Sequence, residues 1–234
     1  MFFPVFNLNY LLYMLPAILL SLAIQFYVNA SYSKWSQVQN RAGFTGAQVA
    51  QRLADKMGMY DLKLKGTPGR LTDHYDSRNN VLSLSQDIAQ QPTVASMAIT
   101  AHEMGHAQQD KNEYFPMKLR SAMVPMVNIG TSLGWILILI GLLLEIGNLA
   151  WLGIFAFSAG ALFSIATLPV ELNASKRARK LLTDSGMITS QEEKRGVNQV
   201  LNAAALTYVA AIATSVMQLL YFASLAGGMG RRRR

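Results

Sequence analysis

Val124–Leu144 reads VPMVNIGTSLGWILILIGLLL, a run without one ionisable side chain. A helix rises 1.5 Å per residue, so a run of this length spans the ~30 Å hydrocarbon layer of a bilayer. Glu145–Asn148 follows, and then a second uncharged run, Leu149–Leu168. A connector that short leaves room only for a hairpin turn. Two further runs have the same character. Leu8–Val28 is interrupted only by Asn9, Ser21 and Gln25, and Asn202–Ala226 is softened by Thr207, Thr214, Ser215, Gln218 and Ser224. Tyr10, Tyr13, Tyr27, Trp35, Trp135, Trp151 and Tyr221 stand at or near the ends of these runs, where interface aromatics belong. Buried helices of a soluble protein are the alternative, but uncharged runs of this length belong to membranes. The first run has no Lys or Arg ahead of it and a long apolar core, so a retained anchor is expected rather than a secretion signal.

The composition agrees. Of 234 residues, 51% are apolar and 15% charged, against ~25% charged in soluble domains. The absence of Cys excludes a disulfide scaffold, thiolate zinc fingers, iron–sulfur ligation and thiol catalysis. The net charge of +8 is segregated: eleven basic and eight acidic side chains lie in 29–123, six basic and four acidic in 170–201, and Arg231–Arg234 close the chain. This gives an expected order of parts. Residues 1–28 form transmembrane helix 1, and 29–123 a polar catalytic region. Residues 124–169 form a transmembrane hairpin of helices 2 and 3, and 170–201 a ligand helix and connector. Residues 202–226 form transmembrane helix 4, and 227–234 a basic, flexible tail. Four crossings put both polar regions on one side. Lys118, Arg120, Lys176, Arg177, Arg179 and Lys180, close to membrane ends, favour the cytoplasmic side by the positive-inside rule, while the terminal arginines count the other way. The basic cluster 176–180 suits anionic headgroups better than nucleic acid, so no nucleic acid is expected, and no Gly-rich phosphate loop is present.

Within 29–123 the pattern resolves into elements. Thr45 caps a helix reaching Met57, with Ala47, Ala50, Leu53, Ala54 and Met57 as its apolar stripe and Gly58 as its stop. Alternation between turn residues predicts short antiparallel strands at Asp61–Lys65, Arg70–Asp76 and Val81–Ser85. From Thr93 a helix runs to about Gln109, carrying Val94, Ala95, Met97, Ala98, Ala101 and Met104 on a broad apolar face. Farther on, Ser190-Gln191-Glu192-Glu193 is a capping box leading a helix into the fourth run.

The helix from Thr93 contains His102-Glu103-Met104-Gly105-His106. Residues four apart share a helix face, so two imidazoles can reach one zinc ion. Glu103 lies on the adjacent face, where the HExxH arrangement has its general base. Shuffling a chain with three His and six Glu produces this pattern in roughly one sequence per 1,500, so the match is specific. Gly105, inside the helix, costs about 0.5–1 kcal/mol relative to Ala, which a close backbone approach would explain.

A catalytic zinc needs a third protein ligand and an open position. His74 is the one other histidine, and Asp and Glu are the remaining options. Glu171 is best placed: it follows Pro169 at the end of the third apolar run, on an expected helix Val170–Leu182. The HExxH helix precedes a membrane hairpin and Glu171 follows it. A hairpin leaves and returns on one face, so the three side chains can meet there.

Three motifs carry a family resemblance: Gly69-Arg70-Leu71-Thr72-Asp73-His74-Tyr75-Asp76, Ala101-His102-Glu103-Met104-Gly105-His106-Ala107, and Leu168-Pro169-Val170-Glu171-Leu172-Asn173-Ala174-Ser175. With them the chain resembles the YugP-like family of membrane zinc metallopeptidases, and more distantly the HtpX-type membrane gluzincins. The resemblance implies His102, His106 and Glu171 as ligands of one Zn²⁺ per chain, and Glu103 as catalytic base. Where the HtpX-type pattern has an Asp four residues after the ligand Glu, this chain has Ser175, which offers a weaker hydrogen bond to a ligand histidine.

The fold class that follows is a mostly α integral membrane protein. It has about four transmembrane helices and a small α+β zincin-like catalytic region with a short sheet. The expected activity is that of a zinc metalloendopeptidase in a bacterial plasma membrane. It would cut membrane or membrane-proximal proteins by zinc-activated water, with Glu103 as base. Protein or peptide substrate and the lipid bilayer are its expected partners, with the oligomeric state open. His74 and Tyr75 are candidates to stabilise the oxyanion, and Val81–Ser85 a candidate edge strand for extended substrate. A turn held by Asp73 and Asp76 is the competing view of that cluster. Two other functions compete: a catalytically silent membrane adaptor with structural zinc, to which Ser175 points, and a zinc hydrolase of a non-peptide amide.

Overall fold

A computed structural model describes residues 8–232. The first seven residues of the expected first span, and Arg233 and Arg234 of the expected tail, lie outside that range. In chain order the elements are α1 (Leu8–Trp35), α2 (Gly46–Met57), β1 (Lys63–Thr67), β2 (His74–Asp76), β3 (Val81–Ser85), α3 (Gln86–Gln90), α4 (Val94–Lys111), α5 (Phe115–Leu143), α6 (Gly147–Asp184) and α7 (Gln191–Arg232). α1, α5, α6 and α7 are each long and apolar enough to cross a membrane, as expected. All four extend beyond their uncharged runs, and α7 continues through Arg231 and Arg232, where a flexible tail was expected. Gly227, Gly228 and Gly230 are poor helix formers, so this end continues a helix already nucleated upstream rather than one favoured by its own residues. The chain divides into two compact units, one drawing on 8–24, 119–168 and 207–232, the other on 25–118 and 169–206.

The first unit has the surface of a lipid-facing bundle. Leu11, Leu12, Leu19, Met126, Ile129, Phe155 and Leu162 are exposed along its helices, an arrangement costly in water and natural in hydrocarbon. Its interior centres on Ile138, Ile154, Tyr221 and Phe222. Tyr10 and Tyr13 meet Tyr221 edge-on at 5.1 and 5.8 Å, and Phe157 meets Phe222 at 5.8 Å. α5 and α6 pack through small residues: a Cβ built at Gly134 would stand 2.8 Å from the carbonyl oxygen of Gly153. Such close packing replaces a hydrophobic driving force that is missing between helices in lipid.

The second unit holds the motifs. Thr45 and Gln48 form a reciprocal capping box at the start of α2, and Gly58 closes it at φ 63°. Val49, Ala50, Leu53 and Ala54 face the core, where they join Leu82, Met97, Met104, Leu182 and Leu201. The sheet corrects one expectation. Its order is β1-β3-β2, with β2 antiparallel to β3 but β1 parallel to it, Lys63 opposite Val81. Both connections reverse the chain, so β1 and β3 run the same way and β3 is inserted between its neighbours. Alternating side chains give each strand its two faces but not its neighbour. Val81–Ser85 is therefore the central strand, not an edge, and the edges are β1 and β2.

The β2–β3 turn is held by Asp76, whose carboxylate accepts from Arg78 N at 3.0 Å and Asn79 Nδ2 at 2.7 Å. Asp73 accepts from Ser85 N at 2.7 Å. Asp76 thus serves the turn as its side-chain chemistry allows, whereas Asp73 ties the opposite, open end of the hairpin, where β3 ends at Ser85. α4 starts at its cap, Ser96 N donating to Thr93 Oγ1 at 3.1 Å. At α7, Glu193 accepts from Ser190 N at 2.9 Å while Ser190 Oγ accepts from Glu193 N at 3.1 Å, completing the expected box.

Candidate metal centre

Two helices build the centre. α4 presents His102 and His106 one turn apart, their rings at 86° with centroids 4.9 Å apart. α6 presents Glu171, which is 2% exposed. A carbonyl of α6 explains the glycine between the histidines: a Cβ at Gly105 would collide with the Ala174 oxygen. Backbone therefore lies against backbone at this crossing, and a side chain as short as Glu reaches across. Glu171 Oε2 stands 3.2 Å from His102 Nε2 and 3.4 Å from His106 Nε2. Among the described residues, this is the group of His, Cys, Asp or Glu side chains whose ligand atoms converge, all within 4.8 Å of one another. His74 is not part of it.

The polar atoms behind the histidines set their tautomers. Gln109, fully buried on α4, donates from Nε2 to the Val170 carbonyl at 2.8 Å and to Asn173 Oδ1 at 3.0 Å. A carbonyl can only accept, so the amide nitrogen points there and Oε1 points at His106 Nδ1, 2.9 Å away. Nδ1 of His106 must then carry the proton, which leaves the Nε2 lone pair facing Glu171. Ser175 Oγ lies 3.2 Å from His102 Nδ1 and can accept from it in the same way. Arg177 extends the network, its Nε donating to Asn173 Oδ1 at 2.7 Å and its Nη1 to Gln108 Oε1 at 3.1 Å. Two imidazole nitrogens and a carboxylate oxygen, with the far ring nitrogens tied off, make the donor set of a zinc site that keeps a position open.

Glu103 sits beside this group. Its Oε2 accepts from the Tyr75 main-chain N–H at 3.0 Å. Burial pushes its carboxyl above the ordinary range, and the two imidazoles pull the other way. Burial works against the charged form of His106, but the Glu171 and Glu103 carboxylates outweigh it and raise the ring's affinity for a proton. The remaining sequence candidates are differently placed. Tyr75 turns its hydroxyl to Asp110 Oδ2 at 2.9 Å and Asn80 Oδ1 at 3.0 Å. His74 is exposed, and its Nδ1 donates to the Thr72 carbonyl at 2.9 Å.

Gln109, Asn173 and Asp110 are members of the site that sequence reasoning missed. Gln109 stands three residues after His106, on the same helix face, and that spacing was the signal that could have found it.

A family model described as "putative neutral zinc metallopeptidase" matches residues 10–227. The chain is 42% identical over 208 residues to "Putative membrane protease YugP" of Bacillus subtilis (strain 168), covering 89% of this chain and 92% of the relative. No solved structure matches. With nearly its whole length inside the family model, the three motifs within the match and a His-His-Glu group that could hold a metal, the chain belongs to this zinc metallopeptidase family.

Proposed function

We propose that the protein is a membrane zinc endopeptidase that hydrolyses peptide bonds of membrane or membrane-proximal proteins. The observation that carries this reading is the convergence of His102 Nε2, His106 Nε2 and Glu171 Oε2 beside the buried carboxylate of Glu103. His102, His106 and Glu171 would hold one zinc ion per chain, which supplies a Lewis acid and a nucleophile active near neutral pH. Glu103 takes a proton from the attacking water onto its carboxylate and gives it to the leaving amine nitrogen. Gln109 and Ser175 keep the proton on Nδ1 of each histidine, so that both Nε2 atoms stay available as ligands.

Of the two residues offered for the oxyanion, the Tyr75 phenol is committed to Asp110, which leaves that role to the exposed His74. The relative comes from a bacterium, and the Lys and Arg near membrane ends favour a catalytic region on the cytoplasmic face of the plasma membrane. The silent-adaptor reading rested on Ser175, and the contact of its hydroxyl with His102 weakens that support.

Purified protein in detergent tests the proposal. Zinc near one per chain, and cleavage of an unfolded protein such as casein that stops on Glu103→Gln and on chelation, is the expected result. Zinc retained without turnover would favour the adaptor, and turnover confined to small amides a non-peptide hydrolase.

A further inference from the structure

Tyr75 touches α4 twice. Its main-chain N–H donates to Glu103 Oε2 at 3.0 Å, and its hydroxyl donates toward Asp110 Oδ2 at 2.9 Å. Glu103 and Asp110 are seven residues apart, two helical turns, and so share one face of α4. In the β2–β3 ladder Tyr75 stands opposite Leu82, and an amide committed to a helix side chain faces out of the strand pair. One residue of an edge strand therefore grips the HExxH helix at both ends of the segment that carries Glu103 and His106.

The other end of the grip is itself held. Asn80 Oδ1 lies 3.0 Å from the Tyr75 hydroxyl, and Asn80 Nδ2 donates to Asp61 Oδ2 at 2.8 Å. Asp110 is thus part of a polar chain fixing the β2–β3 turn to the last turns of α4. Asn80 adopts φ 50°, a conformation Asn tolerates better than most residues, so the turn places its amide there at small cost.

A glutamate has three rotatable side-chain bonds, and a base must present one oxygen to a proton in a defined direction. We propose that Tyr75 is a positioning residue for the hydrolysis assigned above. Its N–H fixes Oε2 of Glu103, leaving Oε1 to move the proton, and its phenol, anchored on Asp110, keeps that N–H aimed. This assignment rests on the hydrolytic reading. It differs from the expectation that the phenol itself meets substrate: Tyr75 acts through Glu103.

Three measurements on the full-length, zinc-loaded protein test it. Replacing Tyr75 by its α-hydroxy acid removes only the N–H, turning the preceding amide into an ester. The expected result is a kcat lower by about 10- to 100-fold, KM within about twofold, and zinc still at one per chain. Tyr75→Phe and Asp110→Ala each lower kcat by a smaller factor, and the double variant loses no more than either alone, because both remove one contact. Hydrogen exchange, which needs no turnover, should show the Tyr75 amide protected in the wild type and deprotected in Glu103→Ala.

Wild-type kcat in the ester variant, zinc lost in step with kcat, or an amide indifferent to Glu103→Ala would each overturn the proposal. If the wild type hydrolyses nothing while the amide still answers to Glu103, the hydrolytic reading has failed. The contact then stands as structure, without a positioning role.

Discussion

The carbonyl oxygen of Ala174 occupies the place a side chain at Gly105 would need. That relationship sets how near α6 comes to α4, and hence whether Glu171 can share a metal ion with His102 and His106.

Gly105→Ala gives it a sign to be read. In an open helix the change should stabilise by about 0.5–1 kcal/mol, because glycine is the poorer helix former. Against the Ala174 carbonyl it must instead force the helices apart, at a cost of about 1–3 kcal/mol. We expect a lower Tm in a thermal melt and weaker zinc retention. A raised Tm would mean that the helices do not touch there.

Gln109→Ala leaves His106 without the acceptor that fixes its tautomer. Loss of such a partner costs about 10- to 100-fold in metal affinity. Competition with a chelator of known affinity measures it. Zinc binding unchanged in this variant would show that Gln109 holds Val170 and Asn173 only.

The absence of cysteine makes orientation simple to test. Tyr60 is 84% exposed between α2 and β1, so Tyr60→Cys offers a single accessible thiol. With the catalytic region in the cytoplasm, a membrane-impermeant maleimide should label it only after the cells are opened. Labelling of intact cells would place that region outside.

Much of this architecture is legible in the sequence because its signals are local. Uncharged runs such as Val124–Leu144 mark the long helices, and Thr45, Gly58, Ser190 and Glu193 mark where helices start and stop. Counting the expected crossings permits the meeting of Glu171 with the histidines, since an even number returns the chain to the same face, and an odd number would forbid it. Gly105 shows its purpose only as a cost, and the structure supplies the reason in Ala174.

The sheet is less legible. A period of two assigns faces and not neighbours, so the parallel pairing of β1 with β3, and the central place of Val81–Ser85, needed the fold. Main-chain partners are invisible too: nothing in the letters says that the N–H of Tyr75, rather than its phenol, meets Glu103.

The central claim is that one zinc ion is held by His102, His106 and Glu171, with Glu103 beside it but not binding it. Zinc per chain in purified wild type, Glu171→Ala and Glu103→Gln tests this most directly. The account predicts about one ion in the wild type, about one in Glu103→Gln without turnover, and a loss of at least tenfold in affinity in Glu171→Ala. Full zinc binding in Glu171→Ala, or loss of zinc in Glu103→Gln, would contradict it.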